Sequence, residues 1–260
     1  MDTGIGFSEI VVIAILCMVF FGSKEIPQLL RVVTKSVTKI RVYSDKAKNE
    51  INSIIRTIDS PQQNAPVFTR KAEKNELFSS KIKKLTDEQR GDCVQKITHH
   101  LKKHPLYAGA TSILIYINKE DEVSTRKLIE EMLLSGKRVA VPYKATHAGY
   151  ADTIEIVDCQ KDIIQGTDNN WEPDPQRLRP FFKSDLHLAV CSGVAFDKQG
   201  MRLYKNRSAI DYALWELKGI IPIIGLAFDC QISSELLPSD FRDIRMTEII
   251  TESGCLMSTA

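Results

Sequence analysis

With 260 residues, 43% of them hydrophobic and 26% charged, the chain has the make-up of a globular protein, which excludes wholesale disorder. That length holds one large domain, or a medium one with an appendage. Residues 1–70 carry nine Lys/Arg against six Asp/Glu and the rest carry 26 against 27, so the larger part has no nucleic-acid footprint and nucleic acid is not an expected partner.

The first distinctive element is the uninterrupted apolar run "IVVIAILCMVFF" (Ile10 to Phe21). It is short of the roughly 20 residues a spanning helix uses. A signal peptide would need a positive start and an A-x-A cleavage site, whereas Asp2 and Glu9 stand here. A core helix fits the apolarity, but the run is followed at once by a cationic segment, so residues 1–22 are expected to form a membrane anchor. Lys24, Arg31, Lys35, Lys39 and Arg41 place its C-terminal side in the cytoplasm by the positive-inside bias.

Residues 23–58 follow as an amphipathic basic helix. Pro27 suits its first turn, and Ile26, Leu30, Val33, Val37 and Ile40, then Ala47, Ile51, Ile54 and Ile58, repeat at four-three spacing. Lys35, Lys39, Arg41, Lys46 and Lys48 fall off that stripe. The same spacing describes a coiled-coil seam; the neighbouring apolar run favours a helix lying on an anionic bilayer. "GFSEIVVIAILCMVFFGSKEIPQLLRVVTKSVTKIR" resembles the start of the A/B-type subunits of the bacterial twin-arginine protein translocase, over about residues 4–56. The resemblance implies oligomerisation in the membrane, with itself or with other translocase subunits, so that folded proteins can cross. A module that only tethers its cargo is an equally economical reading. The expected location is the inner membrane, crossed once, with the large domain in the cytoplasm and membrane lipid as a partner.

"DSPQQNAPVFTR" (59–70), with two prolines and several polar amides, reads as an extended linker. From residue 71 to 260 helical patterns alternate with short apolar runs. "LTDEQRGDCVQKITHHLKKH" is a helix with Thr86 as cap and Gln89 three residues on. "SILIYI" is a buried strand, "VSTRKLIEEMLLSGK" a helix closed by Gly136, and "RVAVP" the next strand. "IEIV", "LHLAVC", a helix near "SAIDYALWEL", "IPIIGLA" and "EIIT" complete the series. The fold class this predicts is α/β, with a mostly parallel sheet sandwiched by helices. Ligands of such sheets sit at the carboxyl ends of strands, here Asn118 to Glu122, Pro142 to Lys144, Ser192 to Arg202, and Ala227 to Gln231. Convergence of these ends supports an anion or small-molecule site without naming a reaction, and Glu122 alone fits a helix N-terminal acid.

The six cysteines are scattered, with no CxxC and no Cys/His pair at zinc spacing, as in a reduced, cytosolic domain. His99 and His100, about 100° apart on a helix, form no natural chelate and are expected to be solvated.

The ordered blocks "INKEDEVST", "GKRVAVP", "WEPD", "SGVAFDKQGMRL", "IGLAFDCQISSELLP" and "RDIRMTEIITE" resemble 5-formyltetrahydrofolate cyclo-ligase, also called methenyltetrahydrofolate synthetase, over about residues 71–252. The resemblance implies 5-formyltetrahydrofolate as substrate, with ATP and Mg2+. The formyl oxygen takes the terminal phosphoryl group, and a neighbouring nitrogen closes the ring as phosphate leaves, so the protein supplies placement and charge neutralisation.

Family enzymes carry a lysine and an arginine near the domain start and a loop of the form R-L-G-x-G-x-G-Y-Y-D. Here Gly200, Arg202, Leu203 and Asp211 match, but the loop glycines become Tyr204, Asn206 and Ser208, and the tyrosines Ala209 and Ile210. Lys71 stands for the lysine and Asn75 for the arginine. Glycines let backbone amides approach phosphate closely; without them, Arg202, Lys205 and Arg207 either hold it by their side chains or form an ordinary solvated turn. By this resemblance Lys71, Gly200, Arg202, Lys205, Asn206 and Arg207 bind ATP. Glu122 and Trp171 contact folate, Asp211 and Asp243 hold the metal, and Arg202 and Asp211 are catalytic.

Overall fold

The computed structural model describes residues 67–145, 151–166, 170–205 and 208–257. The expected anchor, the amphipathic helix, and Asn206 and Arg207 of the loop lie outside the described residues. Among those described, no helix is long and apolar enough to cross a membrane. Helix α1 (Val67–Ile82) runs through positions 67–70, which the sequence reading gives to the spacer. It starts directly after Pro66, a residue at home at the outer edge of a helix and not inside one.

Local signals account for the next elements. Thr86 caps α2 (Asp87–Lys103) through a capping box with Gln89, with Asp87 and Glu88 in the first turn and Lys102 and Lys103 in the last, as the helix dipole favours. His104 ends α2 and its ring caps the short α3 (Pro105–Gly109). Strand β1 (Ser112–Ile115) is buried throughout. Helix α4 (Arg126–Leu134) buries Leu128, Ile129 and Met132. It closes with Gly136 N–H donating to Leu133 O and Lys137 N–H to Met132 O, the paired bonds of a Schellman motif. His100, expected in solvent, is instead half-buried with Nδ1 3.0 Å from Thr251 O, because the C-terminal half of α2 lies on the sheet edge.

Strands β2 (Arg138–Ala145), β3 (Ala151–Ile156), β6 (Leu188–Cys191), β9 (Ile223–Leu226), β11 (Glu248–Thr251) and β12 (Gly254–Met257) join β1 in a seven-stranded sheet. Its order is β12-β11-β9-β6-β1-β2-β3. The five inner strands are parallel, and antiparallel β3 and β12 close the edges.

Alternate residues feed two cores. Ile113, Ile115, Val139, Val141, Leu188, Val190, Ile224 and Ile250 pack with Ile97 and Leu101 of α2 and Ile129 of α4. Leu114, Ala140, Ala189, Cys191, Ile223 and Ile249 pack with Ile210, Ala213 and Leu214 of α6 (Ala209–Leu217). Each fully buried aliphatic side chain contributes about 1.5–3 kcal/mol, so helices on both faces are what make these uninterrupted apolar strands stable.

Two small sheets carry the loops that matter for the site. After the one-turn α5 (Cys159–Asp162), β4 (Ile163–Gln165) pairs with β5 (Trp171–Pro173) and sets Trp171 opposite Gln165. Strands β7 (Ala195–Asp197), β8 (Arg202–Leu203) and β10 (Ile232–Ser233) form a three-stranded sheet. Phe196 of β7 is fully buried against two glycines: a Cβ added at Gly193 or at Gly225 of β9 would lie 2.7 Å from its ring. The missing side chains at 193 and 225 therefore let the small sheet seat against the large one.

Candidate functional site

From β1 the chain crosses to β2 on one side, and from β6 it crosses to β9 on the other. The loops after β1 and β6 therefore part, leaving the crevice where ligands of open α/β sheets bind. A cleft of about 610 Å³ opens there, lined by residues after β1 and β6, by Pro142 and Tyr143 of β2, by Ser79 and Ile82 of α1 and Lys83 just beyond it, by Trp171, and by Arg202, Tyr204 and Lys205. Three of the four expected strand ends meet at this cleft. The fourth braces it from behind: Gln231 Nε2 donates to Gly193 O at 2.6 Å and to Val194 O at 3.2 Å.

One wall is built on the switch point. Glu122 lies ahead of α4, whose first turn holds no acid, so the helix-dipole reading of this residue gives way to a different one. Its Oε1 accepts from Ser192 Oγ at 2.7 Å and its Oε2 from Lys119 N–H at 2.8 Å, which holds the carboxylate across the gap between β1 and β6. The nearby Tyr116 hydroxyl donates to Val123 O at 2.7 Å, and complete burial, with Glu122 adding to it, raises the phenol's pKa well above its ordinary value. Trp171 lines the same wall with the Arg126 guanidinium 3.7 Å from its ring centroid, a cation–π pair.

The opposite wall is the loop. Gly200, at φ +78°, makes the β7–β8 turn, with its N–H donating to Asp197 O at 2.9 Å, and is not among the lining residues. A left-handed backbone there explains the glycine. Arg202 is 5% exposed; its Nε donates to Ser192 O and its Nη1 to Asp211 Oδ1. Burial disfavours its charge, yet Asp211 and neighbouring groups raise its pKa further. Asp211 Oδ2 accepts from Ser208 N–H at 2.7 Å and Ser208 Oγ at 2.9 Å, which caps α6. Lys205 is exposed and lines the cleft.

Behind Tyr204 sits a second charged group. Lys71 Nζ lies 2.7 Å from Asp243 Oδ2 and 3.0 Å from Asp240 Oδ2, and 5.7 Å from the Tyr204 ring centroid. Burial works against the ammonium, but the bonds to Asp243 and Asp240 raise its pKa. Asn75 Nδ2 donates to Tyr204 O at 3.4 Å. The structure thus brings Lys71, Asn75, Tyr204 and Asp243 together, and Arg202 with Asp211, while Glu122 and Trp171 face the cleft from the other wall.

A hard cation such as magnesium takes one or two carboxylates, with water and phosphate completing its shell. Asp243 suits this: its Oδ1 is buried with no hydrogen-bond partner among the described residues. Asp211 has both oxygens engaged. Tyr116, Arg126 and Asp240 carry no functional signal in the sequence; Tyr116 reads there as strand core, and Arg126 as an ordinary helix residue.

Residues 67–252 match the 5-formyltetrahydrofolate cyclo-ligase family, and residues 3–50 match the mttA/Hcf106 family. A 5-formyltetrahydrofolate cyclo-ligase of Haemophilus influenzae is 28% identical over 188 residues, covering 68% of this chain and 97% of that protein. The Sec-independent protein translocase protein TatA of Prochlorococcus marinus is 29% identical over 79 residues, covering 30% of this chain and 88% of that protein. The solution structure of Aquifex aeolicus 5,10-methenyltetrahydrofolate synthetase shares the fold at a TM-score of 0.62 and 23% identity, over 73% of this chain and 93% of that one. The match from 67 to 252 takes in both walls of the cleft and every strand of the large sheet but the last, so the chain belongs to the 5-formyltetrahydrofolate cyclo-ligase family.

Proposed function

We propose that the chain converts 5-formyltetrahydrofolate to the 5,10-methenyl form in the cleft at the switch point, with ATP and Mg2+, and that its N-terminal region tethers it to the inner membrane by a single span, leaving the large domain in the cytoplasm. The observation that carries the reading is the Glu122 carboxylate, fixed across the β1–β6 gap by Ser192 Oγ and Lys119 N–H. Held there, it accepts hydrogen bonds from the N–H groups of a pterin ring, while Trp171 offers aromatic surface to the same ring. Exposed Lys83, Lys119 and Lys205 bring positive charge to the cleft for the substrate's carboxylates and for phosphate.

Bound ATP supplies the phosphoryl group that makes the formyl oxygen a leaving group. This chain's residues orient and neutralise. Asp243, through the Oδ1 that has no hydrogen-bond partner among the described residues, would hold magnesium. Asp211 serves by holding Arg202 and the start of α6, and would reach a metal only by giving up Arg202 or Ser208. Lys71 needs to loosen from Asp240 to meet a phosphate.

That last requirement favours a second reading. Arg202 and Lys71 both have carboxylate partners, and three glycines of the family's phosphate loop are replaced. A translocase-like transport or scaffold subunit carrying an inactive cyclo-ligase domain fits those pairings. Incubating the full-length chain with 5-formyltetrahydrofolate and Mg-ATP, and following methenyl formation by absorbance, separates the two. Turnover supports the enzyme, and a folded chain without turnover leaves the scaffold. Fractionating the full-length chain beside one starting at residue 59 tests the tether, which fails if both are equally soluble.

A further inference from the structure

At the end of the sheet remote from the cleft, three elements bring a histidine, a carboxylate and a thiol together. His104 stands at the joint of α2 and α3, Glu248 opens β11, and Cys255 lies on β12 opposite Ile250. Strand alternation puts Glu248 and Ile250 on one face, so Cys255, the cross-strand partner of Ile250, sits diagonally beside Glu248 on the α2 side. His104 Nε2 is 2.6 Å from Glu248 Oε2, and Cys255 Sγ is 2.9 Å from the same oxygen. The three ligand atoms lie within 4.8 Å of one another.

A carboxylate that is 8% exposed, beside the apolar Ile250, is costly unless partnered. Its side-chain partners among the described residues are these two groups, and both are transition-metal ligands. Mixed sulfur, nitrogen and oxygen donors suit zinc, which takes three protein ligands and leaves its fourth position to water. Cys255 is exposed, so that fourth position has access to solvent.

We propose that His104, Glu248 and Cys255 bind a zinc-class divalent ion that staples the β11–β12 hairpin to the α2–α3 joint. Loading displaces the Cys255 S–H proton to solvent, leaving a thiolate on the metal. His104 Nδ1 accepts from Leu106 N–H at 3.3 Å, which assigns the ring proton to Nε2. Binding at Nε2 moves that proton to Nδ1, so the Leu106 bond breaks and α3 loses its cap. Metal uptake is therefore coupled to loosening of the first turn of α3.

Titrating the full-length chain with Co2+ in detergent tests this. The expected result is one ion per chain, with a thiolate-to-cobalt charge-transfer band in the near ultraviolet that added Zn2+ abolishes. Cys255→Ser should remove the band, and Glu248→Gln should weaken cobalt affinity at least tenfold while keeping it. Cys93→Ser, whose thiol faces Glu252 at 3.4 Å, should leave it intact. The site is overturned if the folded chain shows no band, if the band survives Cys255→Ser, or if it goes with Cys93→Ser.

Discussion

The two walls of the cleft are both rich in charge but use it in different ways. On the switch-point wall, Glu122 is held by a hydroxyl and a backbone amide. These neutral donors fix its position without cancelling its charge. On the loop wall, Arg202 faces Asp211, and Lys71 faces Asp240 and Asp243, so cation and carboxylate spend their charge on each other. A group held by neutral donors keeps its full electrostatic pull for a ligand, whereas an ion pair holds structure and must open before it binds anything. Family membership alone does not distinguish these conditions; the hydrogen-bond partners do.

The comparison breaks most sharply at Arg202. Removing one member of a buried pair strands the other, at about 3–5 kcal/mol. Arg202→Ala is therefore expected to lower the melting temperature by about 10 °C in a domain of this size, as read by circular dichroism. A melting temperature within a degree of the parent would show that the pair is not what holds the loop. Glu122→Gln should do the reverse. The amide keeps the shape and the Lys119 bond but loses the charge, so stability barely moves while kcat/KM for methenyl formation falls about 10- to 100-fold, the worth of a charge-assisted hydrogen bond. Equal kcat/KM in the two proteins would remove Glu122 from substrate recognition.

Much of this architecture is readable in the residues themselves. Thr86 with Gln89, Gly136, and the buried runs at β1, β6 and β9 are local signals, and the structure follows them. The small strands β7, β8 and β10 carry no such signal, since two or three residues show no period and their seat depends on Phe196 meeting not only nearby Gly193 but also Gly225, which is far away in sequence. Site geometry is legible in the same uneven way. Strand-end reasoning finds Glu122 and Ser192 because topology brings ends together. Nothing in the spacing of Lys71, Asp240 and Asp243 shows that they pair, nor that His104 meets Glu248 and Cys255, which lie more than a hundred residues further along the chain. Sequence spacing detects metal ligands on one helix or knuckle, not ligands gathered by a sheet.

A smaller effect is expected where the switch-point wall is supported from behind. Arg126 covers Trp171 at 3.7 Å, a contact worth about 0.5–1 kcal/mol when partly exposed. Arg126→Ala should raise KM for the folate by about two- to fivefold with kcat unchanged, because a freer indole binds ground and transition states equally less well. A fall in kcat instead would place Arg126 nearer the reacting atoms.

The gentlest test lies on the loop wall and needs no substrate. Burial works to raise the pKa of Asp240, but hydrogen bonds from Arg242 and Lys71 hold it at about 2, below the roughly 3.9 of an unperturbed aspartate. A carboxyl whose folded pKa is depressed contributes stability that is fully present above the unfolded value and is lost as pH falls toward the folded one. Asp240→Asn removes that contribution at neutral pH and its loss in acid. The urea midpoint of the variant should therefore start slightly lower at pH 7 and fall less steeply between about pH 4 and pH 2. If the two proteins lose stability in parallel through that window, Lys71 is held by Asp243 alone, and the release that phosphate binding needs is a single contact.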